Sequence, residues 1–488
     1  MVAISLVDPG TPVRTDAVVV GVRPGADGPV LDPGAESIDA TLGGKLRGAL
    51  KALGATGKAD EVVKIATLGI APYPLVVAVG LGPADSDVNV DEQARRGAGA
   101  ALRSLGSAAT VHVAIDGPVG ALVEGALIGS YRFVEYKSSG SAALRKITVA
   151  ATADAATRAA LRRGRVVAQA QLATRDLVNT PPNDLYPETF AARLKAMAEA
   201  AGLEVEVLGP RALASGRYGG ILAVGAGSAR PPRLVRVTHR PSRPRARVAL
   251  VGKGITYDSG GLNLKPGASL TTMKLDMAGG AAVVAATVAA AALKLPVEIT
   301  AIVPMAENMP GGASYRPSDV ITLRNGTTVE VADTDAEGRL ILGDAISRAV
   351  EDEPDYLIET STLTGGQMVA LGNKVTGAMG EPQFRDRVTA LANAAGEATW
   401  AMPLPADLLP GLDSTVADLT NLPTDRWGSM LVAGMFLAKF VPDGLPWVHL
   451  DICGPAWNPG GPYGYTTKGA TGAPVRTLIA ALEDLSRG

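Results

Sequence analysis

Two stretches of this chain concentrate groups that can do chemistry. The first is DTDAEGRLILGDA, residues 333–345, where Asp333, Asp335 and Glu337 fall within five residues and Arg339 follows. Alternate acids in a strand or extended loop point to one side and repel each other. Apolar runs on both sides place the segment near the core. The second is VGKGITYDSGGLNLKPGASLTTMKLDMAGG, residues 251–280. Lys253 and Asp258 follow the apolar pattern VALV, Lys265 comes seven residues after Asp258, and Asp276 ends an apolar approach to a helix pattern. A buried unpaired carboxylate costs several kcal/mol and tends to protonate instead. Something must cancel this charge.

Taken singly, each group could sit in an ordinary salt bridge. Taken together, four carboxylates and two lysines in Gly-rich loops after strands point to two divalent cations. Two such ions bring four positive charges against the four negative charges of Asp258, Asp276, Asp335 and Glu337. An activated water between them is then balanced by Lys265 and Arg339. Two metals about 3.5–4 Å apart suit hydrolysis, because one activates water while both hold the reacting oxygens. Without histidine the ligands are hard oxygens with room for one amine, so Mn²⁺, Mg²⁺ or Zn²⁺ are the candidates. A ligating lysine must be neutral, and two adjacent cations depress its pKa.

The elements that must position these groups follow a βα rhythm. From about residue 185, RARVALVG, VEITAIVPM, TTVEVA, DYLIETS and WVHLDIC read as strands. ETFAARLKAMAEAAG, GGAAVVAATVAAAALKL, LILGDAISRAVED and PVRTLIAALEDL read as helices. The strands are nearly continuously apolar, as in a sheet covered on both faces. The acids and lysines fall just after them, where ligands of open α/β sheets bind. Residues 1–150 show the same rhythm without a catalytic set: DAVVVGV, PLVVAVGL, TVHVAI and KITVAA as strands, DEQARRGAGAALRSLG and GALVEGALIGSYRF as helices. Between them, 151–178 form one amphipathic helix pattern, which VNTPPNDLYPE breaks with three prolines. The expectation is an α/β protein with a smaller N-terminal domain (1–150), a linking helix and turn (151–180) and a larger catalytic domain (181–488) with a mixed central sheet covered by helices.

Composition narrows the function classes. The chain has 488 residues, too many for one ordinary core, and it is 47% hydrophobic and 19% charged, as a globular enzyme would be. A net charge of −2 gives no support to nucleic-acid binding or to an anionic membrane. The opening MVAISLVDPG lacks the build of a signal peptide, and the longest apolar run is short for a bilayer span. These features suggest a cytoplasmic protein. Three histidines, His112, His239 and His449, exclude HExxH, and His112 and His449 in strand patterns read as hydrogen-bonded structural groups. Cys453 is the single cysteine and reads as a buried thiol. GxSxG, GxGxxG and Walker loops are missing from the sequence.

VGKGITYDSGGLNLKP, KLDMAGG and DTDAEGRL resemble the signature segments of the leucyl (cytosol) aminopeptidase family, bacterial type. RDLVNTPPN and KGATGAPVRTLI resemble further family segments, so the resemblance covers roughly 165–488. It implies that Lys253, Asp258, Asp276 and Glu337 hold a tighter metal. Asp258, Asp335 (through carboxylate and main-chain carbonyl) and Glu337 would hold an exchangeable one. By the same resemblance Lys265 polarises the scissile carbonyl, and Arg339 holds a bicarbonate that acts as general base. The substrate's free amine meets the tighter metal and Asp276. Met273, Thr362, Gly365, Cys453 and Ala456 match the lining for the first side chain, which suits leucine or methionine. Peptide substrates and a homohexamer of two trimers, with sites facing an inner cavity, are also implied. The family usually has asparagine where this chain has Asp333, which puts the usual pH and metal preference in question. A two-metal phosphoester hydrolase could use the same acids but needs more cationic groups to clamp phosphate. A scaffolding protein on this fold would be expected to have lost a lysine or an acid, and none is lost.

Overall fold

Alternation of β-branched residues builds the first sheet. In the strand Ala17–Arg23, Val18, Val20 and Val22 pack with Leu46 and Leu50, while Ala17 and Val19 turn to the other face to meet Ala98 and Leu122. The structure is a computed structural model, and it describes residues 2–138, 144–425 and 427–487. The chain forms two units, Met1–Leu172 with Pro459–Lys468, and Ala173–Asn458 with Gly469–Gly488. The first holds a sheet in the order Ala3–Val7, Lys146–Ala150, Thr110–Ala114, Ala17–Arg23, Leu75–Gly80, Val62–Ala66. Its pairs are parallel except at the Val62–Ala66 edge and the short strand Val30–Leu31. The helices expected over 91–106 and 120–133 run Val90–Ser104 and Val119–Gly129.

The second unit is organised around the strand Arg247–Gly252. Glu298–Asn308 and Tyr356–Ser361 pair with it in parallel on its two sides, and Trp447–Asp451 adds in parallel to the latter. Antiparallel strands complete the sheet: Arg233–His239 and Glu204–Leu208 at one end, Thr376–Gly380 toward the other. Ala249, Val251, Ile302 and Leu357 meet Leu340, Ile341, Ala345 and Ile346 of the helix Glu337–Val350. The helix Ala278–Ala292 packs on the same three strands. The mixed, helix-covered sheet is therefore as expected.

Two sequence readings need adjustment. TTVEVA does not join the central sheet. Its strand is only Thr328–Glu330, and it pairs with Val320–Thr322 and Leu419–Thr420 in a small separate sheet. Its apolar residues Val329 and Val331 join the same core as the central strands and the helix Glu337–Val350 through their side chains rather than through a long ladder. The Ala-rich segment lies within Met273–Ala292, which is long and apolar enough to cross a membrane by composition. Its most apolar window is 83% buried inside the protein, as a core helix would be. The helix expected over 151–178 runs Ala155–Asn179.

His112 and His449 have the structural partners expected of them. Nδ1 of His112 lies 2.8 Å from Thr148 Oγ1, and burial lowers its pKa to about 4. His449 pairs with Glu359 across adjacent strands, both fully buried.

Candidate metal centre

The acids and lysines converge at the carboxyl ends of the parallel strands. Lys253 follows Arg247–Gly252 directly, and Asp258 ends the short strand Gly254–Asp258. Asp276 closes the turn Met273–Leu275, just before the helix Ala278–Ala292. Asp335 lies in the loop that enters Glu337–Val350, and Glu337 is that helix's first residue, where the helix dipole favours an anion.

Lys253 Nζ lies 2.6 Å from Asp276 Oδ2 and 2.6 Å from Glu337 Oε1. Lys265 Nζ lies 2.8 Å from Asp258 Oδ2 and 2.5 Å from Asp335 Oδ1. One oxygen each from Asp258, Asp335 and Glu337 lies within 4.8 Å of the others. Four carboxylates against two lysines leave two negative charges over, in a site where Lys253, Asp258, Asp276 and Glu337 are all buried. Glu337 Oε2 is buried without a hydrogen-bond partner among the described residues. Burial, reinforced by the charges of Asp258 and Glu337, pushes Asp335 up to about 7. Burial opposes the charge on Lys253, but Asp276, Glu337 and Asp258 outweigh it and hold the ammonium form. Burial likewise opposes ionisation of Glu337, and Lys253 and Lys265 overcome it. This donor set fits divalent cations: it is oxygen-rich, over-supplied with negative charge, and contains an unsatisfied carboxylate oxygen.

Residues outside the expected ligand set, Thr362 of the expected pocket among them, hold these groups in place. Asn308 Nδ2 donates to Asp258 Oδ1 and to the Thr334 carbonyl, both at 2.9 Å. Thr334 Oγ1 donates to the Gly260 carbonyl at 2.6 Å, and Tyr315 Oη donates to the Thr334 carbonyl at 2.7 Å. Thr362 Oγ1 donates to Asp276 Oδ1 at 2.7 Å. Asn308 has a trace in the sequence, a polar residue closing the apolar run VEITAIVPMAEN. Asn421 does not. Its carbonyl accepts from Arg339 at 2.7 Å, and its side chain pins the 332–333 backbone from a loop far along the chain.

Gly338 makes room for Lys253. A Cβ there would lie 2.6 Å from Lys253 Cε and 2.8 Å from Nζ. Gly338→Ala improves helix propensity by about 1 kcal/mol, yet it must displace the Lys253 head from Asp276 and Glu337. The expected result is retained helicity with metal affinity weakened about 10-fold or more, the usual scale for disturbing a ligand's support. Metal titration followed by calorimetry checks this, and unchanged affinity would refute the role given to Gly338.

The expected pocket residues fall in two places. Met273 and Thr362 lie beside Asp276, and Cys453 feels the Asp276 charge. Cys453 is free, and burial, followed by the charges of Asp451 and Asp276, raises its thiol pKa. Ala456 is buried one turn further along. Gly365 instead borders a cavity of about 160 Å³ together with Asp333, Asp335 and Arg339. Arg339 is buried and its Nε has no hydrogen-bond partner among the described residues, and burial lowers its pKa to about 10.

The chain resembles known proteins along nearly its whole length. The model of the cytosol aminopeptidase family catalytic domain matches residues 172–479, and that of the family's N-terminal domain matches 19–140. The probable cytosol aminopeptidase of Rhodococcus jostii (strain RHA1) is 50% identical over 486 residues, 97% of this chain and 95% of that protein. The one from Nocardia farcinica (strain IFM 10152) is 50% identical over 485 residues, with the same coverage of 97% and 95%. The solved structure of the bottromycin maturation enzyme BotP in complex with Mn is 37% identical, with a TM-score of 0.86 over 96% of this chain and 99% of that one. The chain belongs to the cytosol aminopeptidase family of dimetal-dependent aminopeptidases.

Proposed function

We propose that this protein releases unblocked N-terminal residues, leucine and other apolar ones by preference, from short peptides in cytoplasmic peptide turnover. The observation that carries the proposal is the convergence of Asp258, Asp276, Asp335 and Glu337 on Lys253 and Lys265, mostly buried, with two negative charges in excess. Lys253, Asp258, Asp276 and Glu337 would hold one ion. Asp258, Asp335 and Glu337 would hold the other, Asp335 also through its carbonyl. When bound, two divalent ions supply Lewis acidity and an activated water. Manganese or zinc suits these donors, and the manganese complex of the BotP structure favours manganese.

The chain's own groups do the rest. Thr362 would orient Asp276, whose carboxylate would meet the substrate's free α-amine. The Lys265 side chain is 16% exposed against 3% for Lys253, so it is the lysine that can reach a substrate carbonyl oxygen. Arg339, with its unpartnered Nε, would hold a small anion such as bicarbonate as proton acceptor. Met273, Thr362, Cys453 and Ala456 would receive the first side chain, whereas Gly365, on the cavity beside Asp335, would border the residue that follows. A hexamer with sites facing an inner cavity completes the proposal and would restrict access to short or unfolded peptides.

The free amine is the decisive requirement. A leucyl dipeptide should be cleaved about 100-fold faster than its N-acetyl form, since acetylation removes the amine's lone pair for the metal and weakens its hydrogen bond to Asp276. Equal cleavage of the two, measured as kcat/KM, would overturn the aminopeptidase reading.

A further inference from the structure

We propose that Asp333 makes this site prefer peptides whose second residue is cationic, lysine or arginine, by meeting that side chain in the cavity beside Asp335. The inference rests on the proposed aminopeptidase function and names its substrate class more narrowly. With the α-amine at Asp276, the first side chain lies on the Met273–Thr362 side. The chain beyond the scissile bond must then leave past Asp335, on the side of the cavity of about 160 Å³. Leu363 and Leu422 line that cavity together with Asp333 and Arg339. An apolar wall ending in a carboxylate suits a long aliphatic stem with a charged head.

The Asp333 carboxylate is available for this. Its Oδ1 accepts the Asp335 backbone N–H at 2.7 Å, and it forms no ion pair with a lysine or arginine among the described residues. An asparagine oxygen could accept the same bond, so the turn needs an oxygen there but not a charge. The backbone is held rigid. Asn421 Oδ1 accepts from the N–H groups of Ala332 (2.7 Å) and Asp333 (3.2 Å), and its Nδ2 donates to the Asp333 carbonyl at 2.6 Å. A fixed carboxylate loses little freedom on binding. The cation in the cavity, Arg339, is engaged by the Asn421 carbonyl and the Phe436 ring, and its Nε by the small anion of the proposed function, so it does not neutralise Asp333.

The test measures kcat/KM for Leu-Lys, Leu-norleucine and Leu-Glu in competition on one enzyme preparation, which cancels differences in metal content. Leu-Lys should exceed Leu-norleucine about 10-fold, as one charge-assisted hydrogen bond provides. Leu-Glu should be the poorest substrate. The Leu-Lys advantage should shrink as salt is raised. In Asp333→Asn, which keeps the turn, the Leu-Lys to Leu-norleucine ratio should fall to near one. A wild-type ratio of one, the same ratio in both proteins, or a preference for Leu-Glu overturns the inference and leaves the aminopeptidase reading intact. Failure to cleave any of the three overturns both.

Discussion

A Glu337→Ala protein is expected to lose both metals together, and its turnover should fall by about 10³-fold or more at ordinary metal concentrations, since each lost ion withdraws several kcal/mol of transition-state stabilisation. Glu337, like Asp258, belongs to both proposed ligand sets. Its Oε1 sits 2.6 Å from Lys253 and its buried Oε2 has no hydrogen-bond partner among the described residues. One of its oxygens lies within 4.8 Å of oxygens of both Asp258 and Asp335. Without it, three carboxylates face two lysines, and the excess negative charge falls from two to one. The metal-free protein loses one buried ion pair, whose removal typically costs about 3–5 kcal/mol, but it is also relieved of repulsion among the acids. The change in metal-free stability should therefore be smaller than the change in metal binding. Elemental analysis after gel filtration reads the first effect directly, and thermal melts with and without metal separate the second. A variant that still carries two tightly bound ions would show that Glu337 does not bridge them.

The architecture was legible because its strands are apolar on both faces and its helices are periodic. DAVVVGV, RARVALVG, DYLIETS and WVHLDIC each became a strand within two residues of the pattern. What resisted reading is short or sits at an edge. Val62–Ala66 and Glu204–Leu208 are edge strands with partly exposed patterns, and periodicity alone separates such segments poorly from loops. The Asp344 side chain shows a different failure. An acid inside LILGDAISRAVED suggests a solvent-facing position, yet Asp344 is fully buried. It accepts from the backbone N–H groups of Ile221 and Arg324 at 2.9 and 2.8 Å, so an acid joins this helix to the short helix Gly219–Gly225 and to the turn after Val320–Thr322. No local pattern reveals a partner 123 residues away.

The site was legible for a related reason. An acid or lysine next to an apolar strand must find a counter-charge, so Lys253, Asp258, Asp276, Asp335 and Glu337 stood out by their surroundings. Their supports did not. Asn308, Thr334, Tyr315 and Asn421 are neutral, and each acts through a hydrogen bond to a distant backbone or carboxylate. Composition carries no trace of such pairs. Asp333 stood out as an extra charge, but what it does locally, closing a turn onto the Asp335 N–H, came only from the geometry.

Lys265→Ala should cut turnover about 10²–10³-fold, or roughly 3–4 kcal/mol, with metal content largely kept, because one donor to a developing oxyanion is worth that much. The two lysines hold parallel places, each bridging two carboxylates at 2.5–2.8 Å. Their burial separates them. Lys253 is enclosed, with Nζ also 3.3 Å from the Thr362 carbonyl, and it cannot reach a substrate without leaving Asp276 and Glu337. Lys265 comes from the Gly-rich loop after Asp258, with a more exposed side chain, and can turn from Asp258 and Asp335 toward a carbonyl oxygen. The carboxylates beside it keep it charged: burial works against the ammonium form, and Asp258, Glu337 and Asp335 more than compensate. Lys253→Ala is the matched control, since it should deplete metal first and lose activity as a consequence. Both variants should be titrated for metal and assayed at saturating metal. Normal turnover by Lys265→Ala would remove it from the chemistry. Metal loss from Lys265→Ala alongside full occupancy in Lys253→Ala would show that the enclosed lysine, not the exposed one, serves the substrate.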